Sequence, residues 1–201
     1  YGTNADLAFK DCFCTELSFN GDANTEGGRV KFSATFKTGS LAEDLTDATT
    51  TIDTAITANN YYMSAWDAND RIIAGHSDVI LSSFSLNITN DVEFVGLTST
   101  GFESATRAGE ISATADFTCV YDANTAPMFE NFNDQVTGAS EGSTLMGADA
   151  TPSDGAFEFK FASSVLTDVS FSDAGLMMLN ASVKAVGAGI GSSTALFEVS
   201  C

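Results

Sequence analysis

The chain is short of positive charge, of histidine and of long apolar runs, and each shortage removes a class of function. Only 8 of its 201 residues are lysine or arginine, against 27 aspartates and glutamates, for a net charge of −19. So acidic a surface repels nucleic acid and anionic membrane, which argues against a sequence reader or a lipid-surface binder. The acidity itself fits two readings: solubility in a salty environment, or a surface that must pass DNA without holding it. No apolar run approaches the ~20 residues that span a bilayer. No secretory leader opens the chain, which begins at Tyr1 rather than methionine. The expectation is a processed N-terminus or a sequence that starts partway into a longer product.

Catalytic traces are equally scarce. His76 is the single histidine; alone it cannot build a metal cage or a proton relay, and it reads as a surface turn residue. Gly138-Ala-Ser-Glu-Gly142 has the bare GxSxG spacing but reads as part of a loop rather than a nucleophile elbow, and no GK[ST] phosphate loop or GxGxxG turn occurs, although residues 138–147 (GASEGSTLMG) and 187–191 (GAGIG) come near. Carboxylates abound, yet nothing separates a catalytic pair from solvated ones. Cys12, Cys14, Cys119 and Cys201 lack the paired knuckles of a zinc site. They read first as small buried hydrophobes with free thiols, then as a disulfide, and last as metal ligands. The turn from Asp67 to Asp70 resembles half a calcium loop without the glycine and distal glutamate of an EF-hand. Asn87-Ile-Thr89 and Asn180-Ala-Ser182 fit the glycosylation pattern. The chain therefore reads as a non-enzyme with no cofactor.

What is abundant is alternation. From Ser77 to Tyr121, Phe84, Leu86 and Ile88 oppose Ser83, Ser85, Asn87 and Thr89; Ile111, Ala113, Ala115, Phe117, Cys119 and Tyr121 then oppose Glu110, Ser112, Thr114, Asp116 and Thr118. Period two over such lengths marks half-buried antiparallel strands, joined here by a polar connection. Upstream, Leu7, Phe9, Phe13, Leu17 and Phe19 form a strand with a bulge expected near Asp11, and Val30, Phe32, Ala34 and Phe36 form its return. The Asn20–Gly28 stretch supplies the turn between them. Short strands are expected at Tyr61–Trp66 and Arg71–Ala74. Later strands are expected around Phe157, Phe159 and Phe161; around Val165, Thr167, Val169 and Phe171; from Met177 to Ala185; and from Ala195 to Val199. The one firm helix follows Asn124 or Thr125, with Pro127 in its first turn and Met128, Phe129 and Phe132 on one side. Residues 38–60 and 136–154 read as long loops, functional by virtue of their length. In the first, Leu41, Leu45, Ile52 and Ile56 recur at helix-like spacing in a threonine-rich background that disfavours a helix. The sum is a single all-β domain over 1–201, an antiparallel sandwich or barrel of about eight to ten strands. An echo between Gly28–Phe36 and Gly109–Phe117 fits either chance or a duplicated hairpin (7–37 and 77–121).

Those residues resemble a known family. FKDCFCTELSFNGDANTEGGRVKFSATF, SSFSLNITNDVEFVG and GEISATADFTCVYDANTAPMFENF are similar to strand patterns of the major tail tube proteins of long-tailed phages, and the closing strands follow the same order. The resemblance covers most of the chain outside 38–60 and 136–154, and its motifs are strand and turn patterns rather than catalytic signatures. Such proteins often carry a further N-terminal β region, and the chain begins near the first hairpin; the expectation is either a shorter relative or a subunit of which this sequence is a part.

The resemblance implies a structural virion protein, assembled in the host cytoplasm and carried in the virion tail. Its copies would form rings, of six in the common case, that stack into a tube joined to other tail proteins at its ends. Viral DNA would pass through without specific binding. Ser83, Ser85, Asn87, Glu110, Ser112, Thr114 and Asp116 become candidates for an acidic lumen, and Leu41, Leu45, Ile52 and Ile56 for loops reaching the next ring. The wet side of an ordinary sandwich is the competing reading of those polar faces. Three other classes compete: a secreted pilin-like or surface fibre subunit, a carbohydrate-binding sandwich using Tyr61, Tyr62 and Trp66, and an acidic glycosidase.

Overall fold

The alternating segments form strands. A computed structural model describes residues 6–44, 62–63, 66, 71–98, 101–134, 141–147, 157–173, 175–187 and 196–200, with the backbone alone at 6–11, 39–44, 97–98, 101–108, 173 and 200. Among them are nine strands: β1 (Asp6–Asp22), β2 (Lys31–Asp44), β3 (Arg71–Ile72), β4 (Leu81–Thr98), β5 (Gly101–Val120), β6 (Glu141–Gly147), β7 (Glu158–Asp173), β8 (Met177–Ala185) and β9 (Glu198–Ser200). One helix, α1 (Ala126–Asn133), follows β5. The strands join a single sheet in the order β2-β1-β4-β5-β8-β7-β6-β3, with β9 also on β7. The pairs β3–β6, β5–β8, β6–β7, β7–β8 and β7–β9 are antiparallel. The all-β, antiparallel expectation holds, with one continuous sheet carrying it.

Two compact units divide the chain. The larger contains described residues 18–32, 62–63, 66, 71–88, 112–134, 141–147, 157–173, 175–187 and 196–200. Its core comes from one face of each strand. Phe84 and Leu86 on β4, Ala113, Ala115 and Phe117 on β5, Leu179, Ala181 and Val183 on β8, and Phe159 and Phe161 on β7 are all buried. Sheet curvature follows from the ring contacts. Phe84 and Phe159 are three strand spacings apart, which in a flat sheet is ~14 Å. Their ring centroids lie 5.7 Å apart. Phe117 and Phe159, on strands two spacings apart and with Val169 rather than Phe159 in register beyond Ala181, stack at 6.3 Å. The sheet of this unit therefore curls until its apolar face closes on itself, bridged by large aromatics over small alanines.

The β7 pattern shifts phase partway. Phe157, Phe159 and Phe161 are buried as expected, but Thr167 is exposed and Val165 half-buried, while Leu166 and Val169 are buried. The inward face moves by one residue between Phe161 and Ser164, where the pairing with β6 shifts register, and moves back at a bulge between Leu166 and Asp168. Tyr121 is half-buried and Met177 exposed, at the strand ends.

The expected loop at 136–154 contains a strand instead, β6. Its small residues pack where larger ones cannot. A Cβ on Gly142 would stand 2.7 Å from the Ala74 carbonyl carbon, a backbone clash no rotamer relieves. Thr144 and Ser164 are fully buried yet satisfied: the Ala74 N–H donates to Thr144 Oγ1 at 3.0 Å, the two hydroxyls meet at 2.7 Å, and Ser164 donates to the Gly142 carbonyl at 2.7 Å.

The helix begins as its sequence suggests, with Thr125 at the N-cap and Pro127 in the first turn. The Thr125 hydroxyl makes no cap bond; it donates to the Val120 carbonyl at 2.9 Å and accepts the Asp122 N–H at 2.9 Å. The Asp122 carboxylate accepts the N–H groups of Asn124 and Thr125, which orders the approach to the helix. Met128 is fully buried, and Phe129 lies 4.2 Å from the Phe171 ring.

The smaller unit contains described residues 6–17, 33–44, 89–98 and 101–111, most of β1 and β2 and about half each of β4 and β5. Residues 90–109, read from sequence as a polar connection, continue β4 and β5 as strand apart from 99–100, which lie outside the described residues. Thr38–Asp44, placed at the start of a loop, continues β2 in the same way. Leu41 is thus a strand residue, whereas Leu45, Ile52 and Ile56 lie outside the described residues. Within this unit Phe13 packs edge-on against Phe94 at 5.8 Å, and Lys37 Nζ donates to the Val92 carbonyl at 2.9 Å while sitting 5.8 Å above the Phe94 ring. Phe36 and Val95 remain exposed.

Candidate functional site

Because strands alternate, the curled face that buries Phe84 and Phe117 leaves an outer polar face on the same strands. In the larger unit Ser83, Ser85 and Asn87 on β4 and Ser112, Thr114 and Asp116 on β5 all lie on that side, half-buried or exposed. Glu110, exposed, belongs to the smaller unit.

The register adds residues that sequence reasoning left out. Thr114, Asp116 and Thr118 stand opposite Lys184, Ser182 and Asn180 on β8, and Ser182 and Asn180 stand opposite Asp168 and Ser170 on β7. Directly opposed residues share a face, so these belong to one polar surface. Ser182 Oγ donates to Asp116 Oδ1 at 2.5 Å, and Thr118 Oγ1 donates to Asn180 Oδ1 at 3.1 Å. The alternation of MMLNASVKA was a signal for Asn180, Ser182 and Lys184; their partners on β5 could come only from the register. The surface is chiefly hydroxyl and amide. Asp116 and Asp168 supply its negative charge across β5, β8 and β7, and Lys184 offsets part of it.

Asn87 is a strained member of this face. Its Oδ1 is buried without a hydrogen-bond partner, which costs about 1–3 kcal/mol. Asn87→Val removes that acceptor and favours the strand. The variant is expected to unfold about 1 kcal/mol later than the wild type, about 2–4 °C higher in a thermal melt. An unchanged or lower midpoint would show that the amide is satisfied in solution.

A second feature is the rim of the core at β2, the first strand in the sheet order. In the larger unit the aromatic row runs from Phe159 through Phe157 to Phe19, 5.0 Å from Phe157, and on to Phe32, 6.2 Å from Phe19. Phe32 ends the row and is 73% exposed. Val30, Phe32, Ala34 and Phe36 were expected on a half-buried face; Val30 and Ala34 are half-buried, but both phenylalanines face solvent. The physical reason is position. An edge strand has a neighbour on one side only, and among the described residues Phe32 has no further strand to lean on. Residues 29–37 (RVKFSATFK) also carry three bases and no acid. Lys31 pairs with Glu26 at 3.0 Å on the surface, a contact worth little.

The remaining candidates separate clearly. Cys119 is buried and donates to the Leu179 carbonyl at 3.5 Å, and burial, reinforced by the Asp122 charge, pushes its thiol up to about 12. It stays protonated and inert near neutral pH. Cys14 is half-buried and Cys12 exposed, so the buried-hydrophobe expectation holds for Cys119 and fails for Cys12; all three are free thiols, and Cys201 lies outside the described residues. Trp66 is 6% exposed, packed on Phe84 at 5.3 Å and Phe157 at 6.3 Å, so it offers no open aromatic platform. Tyr62 is exposed, and Tyr61 lies outside the described residues, as do the turn residues 67–70. His76 is half-buried in a tight turn closed by reciprocal backbone hydrogen bonds with Ile73. Among the described residues no three His, Cys, Asp or Glu side chains gather as a metal set, and no helix is long and apolar enough to cross a membrane. Compared with known proteins, the chain matches no family model and no curated sequence.

Proposed function

We propose that this chain is a structural subunit of a viral tail tube, whose copies complete one another's sheets into rings stacked around a channel for DNA. The observation that carries the reading is the unfinished core at β2: an aromatic row that ends in Phe32, 73% exposed, on an edge strand. Long apolar edges invite a further strand, and natural chains keep them only where something covers them. A second copy is the covering consistent with charge, since residues 29–37 carry three bases in a chain of net charge −19. The strand resemblance to tail tube proteins supports the same reading.

Under this proposal Ser83, Ser85, Asn87, Ser112, Thr114 and Asp116, with Asn180 and Ser182, line the channel. A hydroxyl-rich wall with few cations gives phosphates nothing to bind, and residual acids repel them within ~8 Å at physiological salt. Six copies per ring, stacking through residues near 41–56, other tail proteins at the tube ends and a place in the virion tail belong to the same proposal. The carbohydrate-binding alternative loses Trp66 to the core.

Electron microscopy of the purified chain tests the assembly: stacked rings with a central hole are expected, and a persistent monomer at high concentration overturns it. Asp116→Lys tests the lumen separately. Asp116 is exposed and its partner Ser182 is neutral, so assembly is expected to survive while DNA passage slows. Unchanged ejection kinetics in that variant would remove Asp116 from the channel wall.

A further inference from the structure

The larger unit holds a half-open cavity of about 180 Å³, lined by Ala23, Gly27, Gly28, Met63, Trp66 and Arg71, with Leu81 beneath. Among the described residues, Arg71 is the one charged group in that lining. Its Nε is buried and has no hydrogen-bond partner. A guanidinium is always ionised, offers five donors in a planar fork, and is costly to leave unmatched away from water. Gly27 and Gly28, also in the lining, both adopt left-handed conformations (φ 70° and 78°), and a Cβ at Gly27 would meet nothing within 4 Å. Met63 and Trp66, each under a tenth exposed, supply apolar walls.

We infer that this cavity is a receptor for a carboxylate on a short apolar stem, held by the Arg71 fork and walled by Met63 and Trp66. Three observations select that chemistry. The volume excludes nucleotides, which need several hundred Å³. The mixed lining suits one anionic group with a hydrocarbon stem better than a fully hydrated phosphate dianion. The fork geometry of arginine matches a carboxylate with two parallel N–H···O bonds. The same chemistry is available from two sources: a free small carboxylate, or an aspartate or glutamate side chain of a second copy, of which each chain carries 27. The cavity does not depend on ring formation, although the second source would make it part of that assembly.

Trp66 is the single tryptophan of the chain, so its fluorescence reports on the cavity directly. The probe is sodium propionate, titrated at constant ionic strength against the full chain. A saturable change with millimolar affinity is expected, in keeping with so small a ligand. Arg71→Met should weaken it at least about tenfold. Ala23→Leu, which fills the rim and leaves Arg71 in place, should weaken it comparably and serves if Arg71→Met fails to fold. Sedimentation with and without saturating propionate separates the sources: unchanged assemblies identify a free carboxylate, and assemblies dissolved by propionate identify a side chain of the second copy. No saturable change in the wild type, or one that both variants retain, overturns the inference. A chain that proves monomeric but binds propionate with this dependence would remove the ring proposal and leave the receptor standing.

Discussion

Phe32→Lys is expected to keep the chain folded and, where the proposed ring forms, to abolish self-association. The side chain is 73% exposed and touches the folded unit chiefly through Phe19 at 6.2 Å, so the isolated chain loses little, within about 0.5 kcal/mol. At an interface the same ring is a buried aromatic anchor, and truncating such an anchor costs about 2 kcal/mol or more. Two kcal/mol is about a thirtyfold loss of affinity at each contact. A closed ring repeats that loss at every joint, so assembly should disappear from the working concentration range. Phe36→Lys, in the smaller unit and 62% exposed, tests that half of β2 separately. Sedimentation velocity beside thermal melting separates the two effects. A Phe32→Lys chain that still forms wild-type assemblies would show that β2 is not the joint.

The exposure of Phe32 marks where sequence reading stops. Alternation was legible wherever a strand kept its phase: Phe84, Leu86 and Ile88 face inward as read, as do Ala113 through Cys119 and Leu179 through Ala185. It says which residues share a face, and nothing about whether another layer covers that face. The echoed segments make the point, since Phe36 and Phe117 occupy equivalent places in the pattern and are 62% and 2% exposed. Phase also fails at bulges, which is why Thr167 was read as an inward residue when it points out. β6 escaped because close backbone approach selects Gly142 and Gly147, and a strand rich in such residues resembles a loop. The polar surface was half legible. Its β4 and β5 members follow from alternation, but their cross-strand partners Asn180, Ser182 and Asp168 follow only from register. Nothing in the sequence pointed to the cavity at Arg71.

Phe159→Ala is expected to be the most damaging single change in the chain. Its ring lies 5.7 Å from Phe84, 6.3 Å from Phe117 and Phe157, and 5.9 Å from Phe161. It is fully buried, so truncation removes the transfer free energy of the ring and leaves a void that strand backbones cannot readily collapse to fill. Such truncations cost about 3–5 kcal/mol, a large share of the 5–15 kcal/mol typical of a folded domain. Phe171→Ala, at 39% exposure, provides the comparison and should cost clearly less. Urea denaturation of both variants measures the difference through the shift in midpoint at constant slope. The consequence reaches function, because the contact between β4 and β7 through Phe159 is what holds the sheet of the larger unit in its curl. Phe159→Leu, which keeps apolar volume but not the flat ring, should fold and, where the proposed ring forms, assemble with altered curvature. A cost below about 1 kcal/mol for Phe159→Ala would mean that the curl has another origin, and the wall of any channel built from it would have to be derived anew.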